Sequence, residues 1–408
     1  PASVSCRFRA WVSVSSVISH SSYRPGWTGV RVCVSGTDLS FNLHASMYVN
    51  EPGQASGNRK GETQVTDSEW VIDDFLAGPL PLASGEILEN ARLRYHRMGR
   101  LNAPKDNLVL LPTYYGGAAA GNHPWVTPGG PLDPERYCIV VPAMLGAGES
   151  SSPSNTVGAQ AGPGFPSISL YDNVMLQKRL LDEVFGGARL ALVMGWSMGG
   201  MQALQWGSLF PDRVAAVLAV CATARCYPHN HVFLEGVKAA LTCDPAFRDG
   251  HYGKPPERGL KAFARVYAGW AYSQAFFRNE GYRQQGFESP EALLAFWEKD
   301  HLQQDANDLL AVLNTWQTAD ISANPVFQGR YREALGRLVM PTRMLPSATD
   351  LYFTTTDARA DTAAMPAGRC LPMDSDWGHV AGGPGREPEC HRRILAAAAE
   401  LLERGALS

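Results

Sequence analysis

The chain has 408 residues, 45% hydrophobic and 18% charged, and 36 Lys and Arg against 39 Asp and Glu leave a net charge of -3. That length suits one large α/β domain with an insertion, or two domains. The charge balance and the lack of a basic run argue against a nucleic-acid partner, and no apolar stretch approaches the roughly 18 residues of a membrane span. The eight cysteines (Cys6, Cys33, Cys138, Cys221, Cys226, Cys243, Cys370 and Cys390) are scattered, with no C-x-x-C pair. Free, mostly buried thiols in a reducing compartment are expected rather than a zinc site or a disulfide framework. A cytoplasmic location follows as the expectation.

Residues 1–47 are Ser-rich and carry Arg7, Arg9, Arg24 and Arg31 with Asp38 as their one acid. This reads as an organelle transit peptide or as a translated extension preceding Met47. Residues 48–68 are polar and read as a linker. The whole of 1–68 is expected to be disordered or a non-native extension, without a packed core. The folded part opens with alternating strands at Trp70–Phe75 and Ala91–Arg97. Short apolar strands follow at Asn107–Leu111 and Tyr137–Pro142. From Ser169 the pattern turns helical, with Leu170, Val174, Leu176, Leu180, Leu181 and Val184 on one face. Strands at Leu190–Gly195 and Ala215–Val220 flank another helix. Alternating strand and helix with apolar strands predicts a mostly parallel sheet covered on both faces. Residues 225–335 break this rhythm. They are helical, rich in aromatics from Phe263 to Trp316, and too long for a loop. A helical cap inserted after the sixth strand is expected there, so the core should comprise 69–224 and 336–408. Strands return at Thr342–Pro346 and Arg369–Met373, and Ile394–Leu402 is a closing helix.

Leu190-Ala-Leu-Val-Met-Gly-Trp-Ser-Met-Gly-Gly200 is a strand, a sharp turn and a helix with Ser197 at the turn. This is the G-x-S-x-G nucleophile elbow, in which Gly195 and Gly199 let strand and helix approach around a strained serine. The Met198 N–H at the helix N-terminus is placed to bind an oxyanion. A serine hydroxyl needs a general base, and the base needs an orienting acid. Acid and base should follow the nucleophile in that order. His379, in Asp376-Trp-Gly-His379, is the expected base, and His391 reads as a surface residue. Asp350, after the Thr342 strand, is the expected acid, with Asp374 and Asp376 as rivals. Tyr114, with Tyr115 beside it, is the expected second oxyanion donor, by its backbone N–H. His229 and His231 have no third ligand at metal spacing, so no metal site is expected.

Ser197-Met-Gly-Gly-Met-Gln202 with Trp206, then Ala224-Arg225, Asn230, Phe233 and Glu235, begin a series of markers. Asp244-Pro245, Gly250, Tyr252, Gly259-Leu260, Ala264-Arg265, Asp305-Ala-Asn307 and Asp320 continue it. Asp350-Leu-Tyr352 and Gly378-His379 close it. From about residue 70 to 403 the chain resembles the homoserine O-acetyltransferase-like group of α/β-hydrolase-fold proteins, which includes simple esterases. The resemblance implies the α/β-hydrolase fold, a triad of Ser197, Asp350 and His379, and a homodimer through the cap. No bound cofactor is implied, with acetyl-CoA as co-substrate if the protein is a transferase. The chain departs from the group at Trp196, at Pro112-Thr-Tyr-Tyr-Gly116, at Pro142–Glu149 and at Gln205. Trp196, Tyr115, Tyr352 and Arg225 are the expected substrate contacts. Arg225 would meet a substrate carboxylate, or else Glu235 or another cap acid.

Three functions are open at this level. The changed loops favour hydrolysis of small acetyl-type esters through an acyl-enzyme. The preserved cap markers favour transfer of acetyl from acetyl-CoA to a small alcohol or amino acid. An inactive binding protein on the same fold is the third. The expected partners are a small-molecule ester or an acyl donor and acceptor, with no nucleic acid and no membrane.

Overall fold

Runs of β-branched and apolar residues between turn signals build an eight-stranded sheet in the computed structural model, which describes residues 69–405. The expectations for residues 1–68, including Met47, Cys6 and Cys33, lie outside the described residues. The strands are β1 (Val71–Pro81), β2 (Ile87–Met98), β3 (Leu108–Leu110), β4 (Cys138–Pro142), β5 (Leu190–Trp196), β6 (Val217–Val220), β7 (Thr342–Leu345) and β8 (Gly368–Cys370). They lie in the order β1-β2-β4-β3-β5-β6-β7-β8. The β1–β2 and β2–β4 pairs are antiparallel and the others parallel. The first two strands outrun the expected segments. Register shifts at Leu76, Gly78 and Leu80 break the alternation that marked β1 in the sequence.

The inner parallel strands β3 to β6 are buried on both faces, as their unbroken apolar runs predict, whereas the edge strand β8 is partly exposed. Leu108, Leu110, Cys138, Val140 and Val217 face one core, together with α1 (Leu170–Glu183) and α2 (Met198–Leu209). Val109, Ile139, Val141, Leu192 and Leu218 face the other, with α10 (Pro388–Gly405). Helix α1 starts at a capping box: Asp172 N–H donates to Ser169 Oγ at 3.1 Å, and Ser169 N–H donates to Asp172 Oδ2 at 2.8 Å. Val184, expected on the buried face of α1, is 49% exposed because the helix ends at Glu183.

Between β6 and β7 the chain forms α3 (Pro228–Thr242), α4 (Glu257–Ala271), α5 (Gln274–Arg278), α6 (Pro290–His301), α7 (Ala306–Gln317) and α8 (Tyr331–Gly336). A short α9 (Thr355–Thr362) joins β7 to β8. Among the described residues, no helix is long and apolar enough to cross a membrane. Cys138, Cys221 and Cys390 are buried free thiols, Cys226 and Cys370 are partly buried, and Cys243 is exposed.

Candidate active site

Strand β5 delivers Ser197 to the C-terminal edge of the sheet. The turn into α2 holds Ser197 at φ 57° and ψ -129°, a conformation that costs a non-glycine residue energy and that packing must enforce. The enforcement is visible at two glycines. A Cβ on Gly195 would stand 2.1 Å from the Gly199 carbonyl carbon, and one on Gly199 would stand 2.4 Å from the Pro112 oxygen. Strand, helix and the loop after β3 therefore meet at backbone contact. Ser197 N–H donates to Val220 O at 2.9 Å and fixes the elbow to β6.

A buried amide chain holds the neighbouring loop. Gln202 Nε2 donates to Thr113 O at 2.9 Å, Gln177 Nε2 donates to Gln202 Oε1 at 2.7 Å, and Trp206 Nε1 donates to Gln177 Oε1 at 2.8 Å. This explains why the elbow motif extends to Gln202 and Trp206. Thr113 precedes Tyr114, whose N–H no backbone bond among the described residues takes up. Met198 occupies the first position of α2, where helical N–H groups have no intrahelical partner. Its side chain is fully buried in the core beneath the site.

His379 and Asp350 come from separate loops at the same sheet edge. His379 Nδ1 lies 2.7 Å from Asp350 Oδ2, and both side chains are almost wholly buried. Asp350 Oδ1 accepts the N–H groups of Tyr352 at 3.1 Å and Phe353 at 3.0 Å. The carboxylate is thus fixed by its own turn before it meets the imidazole. The rival acids point elsewhere: Asp376 Oδ2 accepts from Asn279 Nδ2 at 2.7 Å, and Asp374 is exposed. His391, in the first turn of α10, accepts the N–H of Gly385 at 3.2 Å.

Ser197 and His379 line one cavity of about 240 Å³. Of the expected contacts, Tyr114, Tyr115, Trp196 and Tyr352 line it too. Tyr115 also ties its loop to α7, donating its hydroxyl to Leu309 O at 3.1 Å and stacking on Tyr267 at 5.5 Å. Tyr352 stands 4.4 Å from the His379 ring and stacks on Phe233 at 5.1 Å. Burial raises the Tyr114, Tyr115 and Tyr352 phenols, so they remain neutral donors at ordinary pH.

Arg225 is not at this cavity. Its guanidinium sits over the rings of Tyr227 at 4.8 Å and Tyr331 at 4.2 Å, and both hydroxyls donate to buried Asp361. Its backbone pairs with Asp320. Glu235 accepts from Gln317 Nε2 at 2.6 Å instead. Gln205 also lies away from the cavity, donating to Ile321 O at 3.0 Å beneath α2. Residues without a local signal in the sequence also line it, among them Tyr267, Trp297, Asp300, His301, Val380 and Arg386. The aromatic ones lie on α4 and α6, where helical spacing reads equally well as packing.

A second cavity of about 410 Å³ shares Tyr115, Gly116, Ala118, Asp300 and Gln304 with the first and adds Asp305 and Asp308. Among the described residues the one His/Cys/acid cluster is Cys221, Asp350 and His379, with candidate atoms within 4.8 Å of one another. Two of the three are already bonded to each other, and burial pushes the Cys221 thiol far up.

The family model described as alpha/beta hydrolase fold matches residues 106–381, and the chain belongs to that family. Within it the chain falls in the homoserine O-acetyltransferase-like group, which contains transferases and esterases alike. The ethyl acetate hydrolase of Pseudomonas veronii is 36% identical over 80% of this chain and 93% of its own. A homoserine O-acetyltransferase of Symbiobacterium thermophilum is 32% identical over 74% of this chain and 88% of its own. The solved structure of the acetyl esterase MekB superposes with a TM-score of 0.79 at 35% identity, covering 82% of this chain and 97% of that one.

Proposed function

We propose that the protein hydrolyses small acetyl-type carboxylic esters through an acyl-enzyme on Ser197. In this reading Ser197 Oγ attacks the ester carbonyl carbon while His379 Nε2 takes its proton. Asp350 holds Nδ1–H and stabilises the imidazolium. The Met198 and Tyr114 N–H groups bind the oxyanion, each worth about 3 kcal/mol of barrier. The C–O bond to the alcohol breaks as His379 returns the proton to the leaving alkoxide. Water, deprotonated by His379, then attacks the acyl-enzyme and releases the acid and Ser197.

The character of the two joined cavities carries the choice of acceptor. At about 240 Å³ the inner one is below the roughly 300–1,000 Å³ of drug-sized sites, which suits a short acyl ester. The outer one presents Asp300, Asp305 and Asp308 and no lysine or arginine. Coenzyme A carries several phosphate charges and would meet these carboxylates if it reached Ser197 through that cavity, with Arg386 of the inner cavity as the one cation against them. The name of the Pseudomonas veronii relative, an ethyl acetate hydrolase, supports the same reading. The second reading, acetyl transfer from acetyl-CoA to a small alcohol or amino acid, is favoured by the cap markers shared with the homoserine O-acetyltransferases.

Product analysis tests the choice. With ethyl acetate the protein should release acetate and ethanol, and Ser197→Ala should abolish this. With acetyl-CoA plus homoserine or other small alcohols, free CoA should not rise above the acceptor-free control. Acceptor-dependent CoA release overturns the hydrolase reading.

A further inference from the structure

The residue before the nucleophile, Trp196, does more than line the cavity. Its indole ring stacks on the His379 imidazole, with centroids 5.0 Å apart and planes 26° from parallel. Its Nε1–H donates to His379 O at 3.2 Å. One side chain therefore holds both the ring and the main chain of His379. The fit is shared by the loop that follows. A Cβ on Gly382 would stand 2.9 Å from Trp196 Cδ1, and one on Gly383 would stand 3.4 Å from Cη2. Gly382 leaves room for the indole, and Gly383 stands in ordinary contact with it. Tyr114 presses edge-on against the same indole at 4.5 Å and 64°. Trp196 thus joins the base loop to the loop that carries the Tyr114 N–H.

We propose that Trp196 is a positioning residue that fixes the plane of the His379 imidazole and, through Tyr114, its distance from the oxyanion loop. The inference rests on the reading of His379 as general base. Asp350 bonds only Nδ1, and a single hydrogen bond leaves the ring free to swing about that contact. Tyr352, at 4.4 Å, and Phe353, at 5.4 Å, meet the ring at 49° and 34°, so neither lies parallel to it. Trp196 supplies the most nearly parallel surface among the ring's aromatic neighbours. Swing of the ring moves Nε2 relative to Ser197 Oγ, and misplacement by about 1 Å costs on the order of 100-fold in rate.

The test is steady-state kinetics on a small acetate ester together with labelling of Ser197 by a fluorophosphonate. Trp196→Ala should lower kcat by roughly 10- to 100-fold, leave KM within about threefold, and slow labelling by a similar factor. Trp196→Phe keeps the stack and loses the N–H, and should recover kcat to within about threefold of the parent. Circular dichroism and Tm identify a variant that fails to fold, and Trp196→Phe then decides alone. A change confined to KM would make Trp196 a substrate contact and overturn the proposal. So would Trp196→Ala at parental kcat, or Trp196→Phe as slow as Trp196→Ala. Ser197→Ala and His379→Ala separate the two levels: if either keeps parental activity, the serine mechanism itself fails. If both are inactive while Trp196→Ala keeps parental kcat, only the positioning role fails.

Discussion

His379 Nδ1 and Asp350 Oδ2 stand 2.7 Å apart, and the same carboxylate accepts two backbone N–H groups of its own turn. An asparagine at 350 keeps the turn, because its amide oxygen still accepts from Tyr352 and Phe353. Its NH₂ would then face Nδ1 and demand the tautomer with a proton on Nε2, which cannot act as a base. We expect Asp350→Asn to fold with an unchanged Tm and to lose about 10³–10⁴-fold in kcat. Asp376→Asn, at a carboxylate bonded to Asn279, should stay within about threefold of the parent. Initial rates on a chromogenic acetate ester would show both effects. The reverse ranking would move the acid to Asp376.

Asp308 accepts from Ser154 N–H at 2.9 Å and Ser154 Oγ–H at 2.6 Å, yet burial pushes its carboxyl up to about 6, with Asp305 adding to the rise. An acid raised above its ordinary value near 4 favours the protonated fold. Its ionisation cost is therefore absent below pH 4 and complete above pH 6. Asp308→Asn keeps an oxygen acceptor for Ser154 and removes that cost. It should be more stable than the parent at pH 8, by at most about 3 kcal/mol, and equal to it near pH 4. Urea unfolding at the two pH values measures the gap, which must shrink as pH falls.

His96 Nδ1 and His123 Nε2 are 2.9 Å apart, and Trp70 stacks on His123 at 3.8 Å. Burial first, and then the neighbouring histidine, hold His123 down at about 4. Burial and Arg94 lower His96 as well. A histidine depressed below its ordinary value near 6.5 contributes stability that is intact above that value and is lost as pH falls through 4. We expect the urea midpoint of the parent to fall between pH 6.5 and 4. His123→Gln should lower the midpoint at pH 7 and flatten that fall. A variant with the full parental slope would show that the pair does not titrate there.

The parts of the site that a short stretch encodes are legible in the sequence. Ser197 is announced by its glycines, because the elbow needs them within two residues on either side. His379 and Asp350 follow from chain order along a parallel sheet. Arg225 lies away from the cavity because its guanidinium is taken by aromatic rings, and no charge pattern in the sequence marks such a partner. Its partners are the rings of Tyr227, two residues on, and the distant Tyr331, both held by Asp361. Gln205 sits within the elbow helix but faces Ile321, a distinction that depends on which side of α2 lies uppermost. Tyr267, Trp297 and Arg386 come from α4, α6 and the loop before α10. No local pattern distinguishes such residues from ordinary packing until the helices are docked.

Gly378 is wedged against the end of α4, where a Cβ would come within 2.8 Å of Ser273 N and 2.9 Å of Ala271 O. The loop that bears His379 is therefore moulded onto a segment inserted more than a hundred residues earlier. Helices borrowed from a distant relative and spliced between β6 and β7 would have to reproduce that one backbone fit. Otherwise a hybrid chain would fold, keep Ser197, Asp350 and His379 and still be inert. The backbone path of Ala271–Ser273 is thus tied to the loop that carries His379, although no reacting atom lies there.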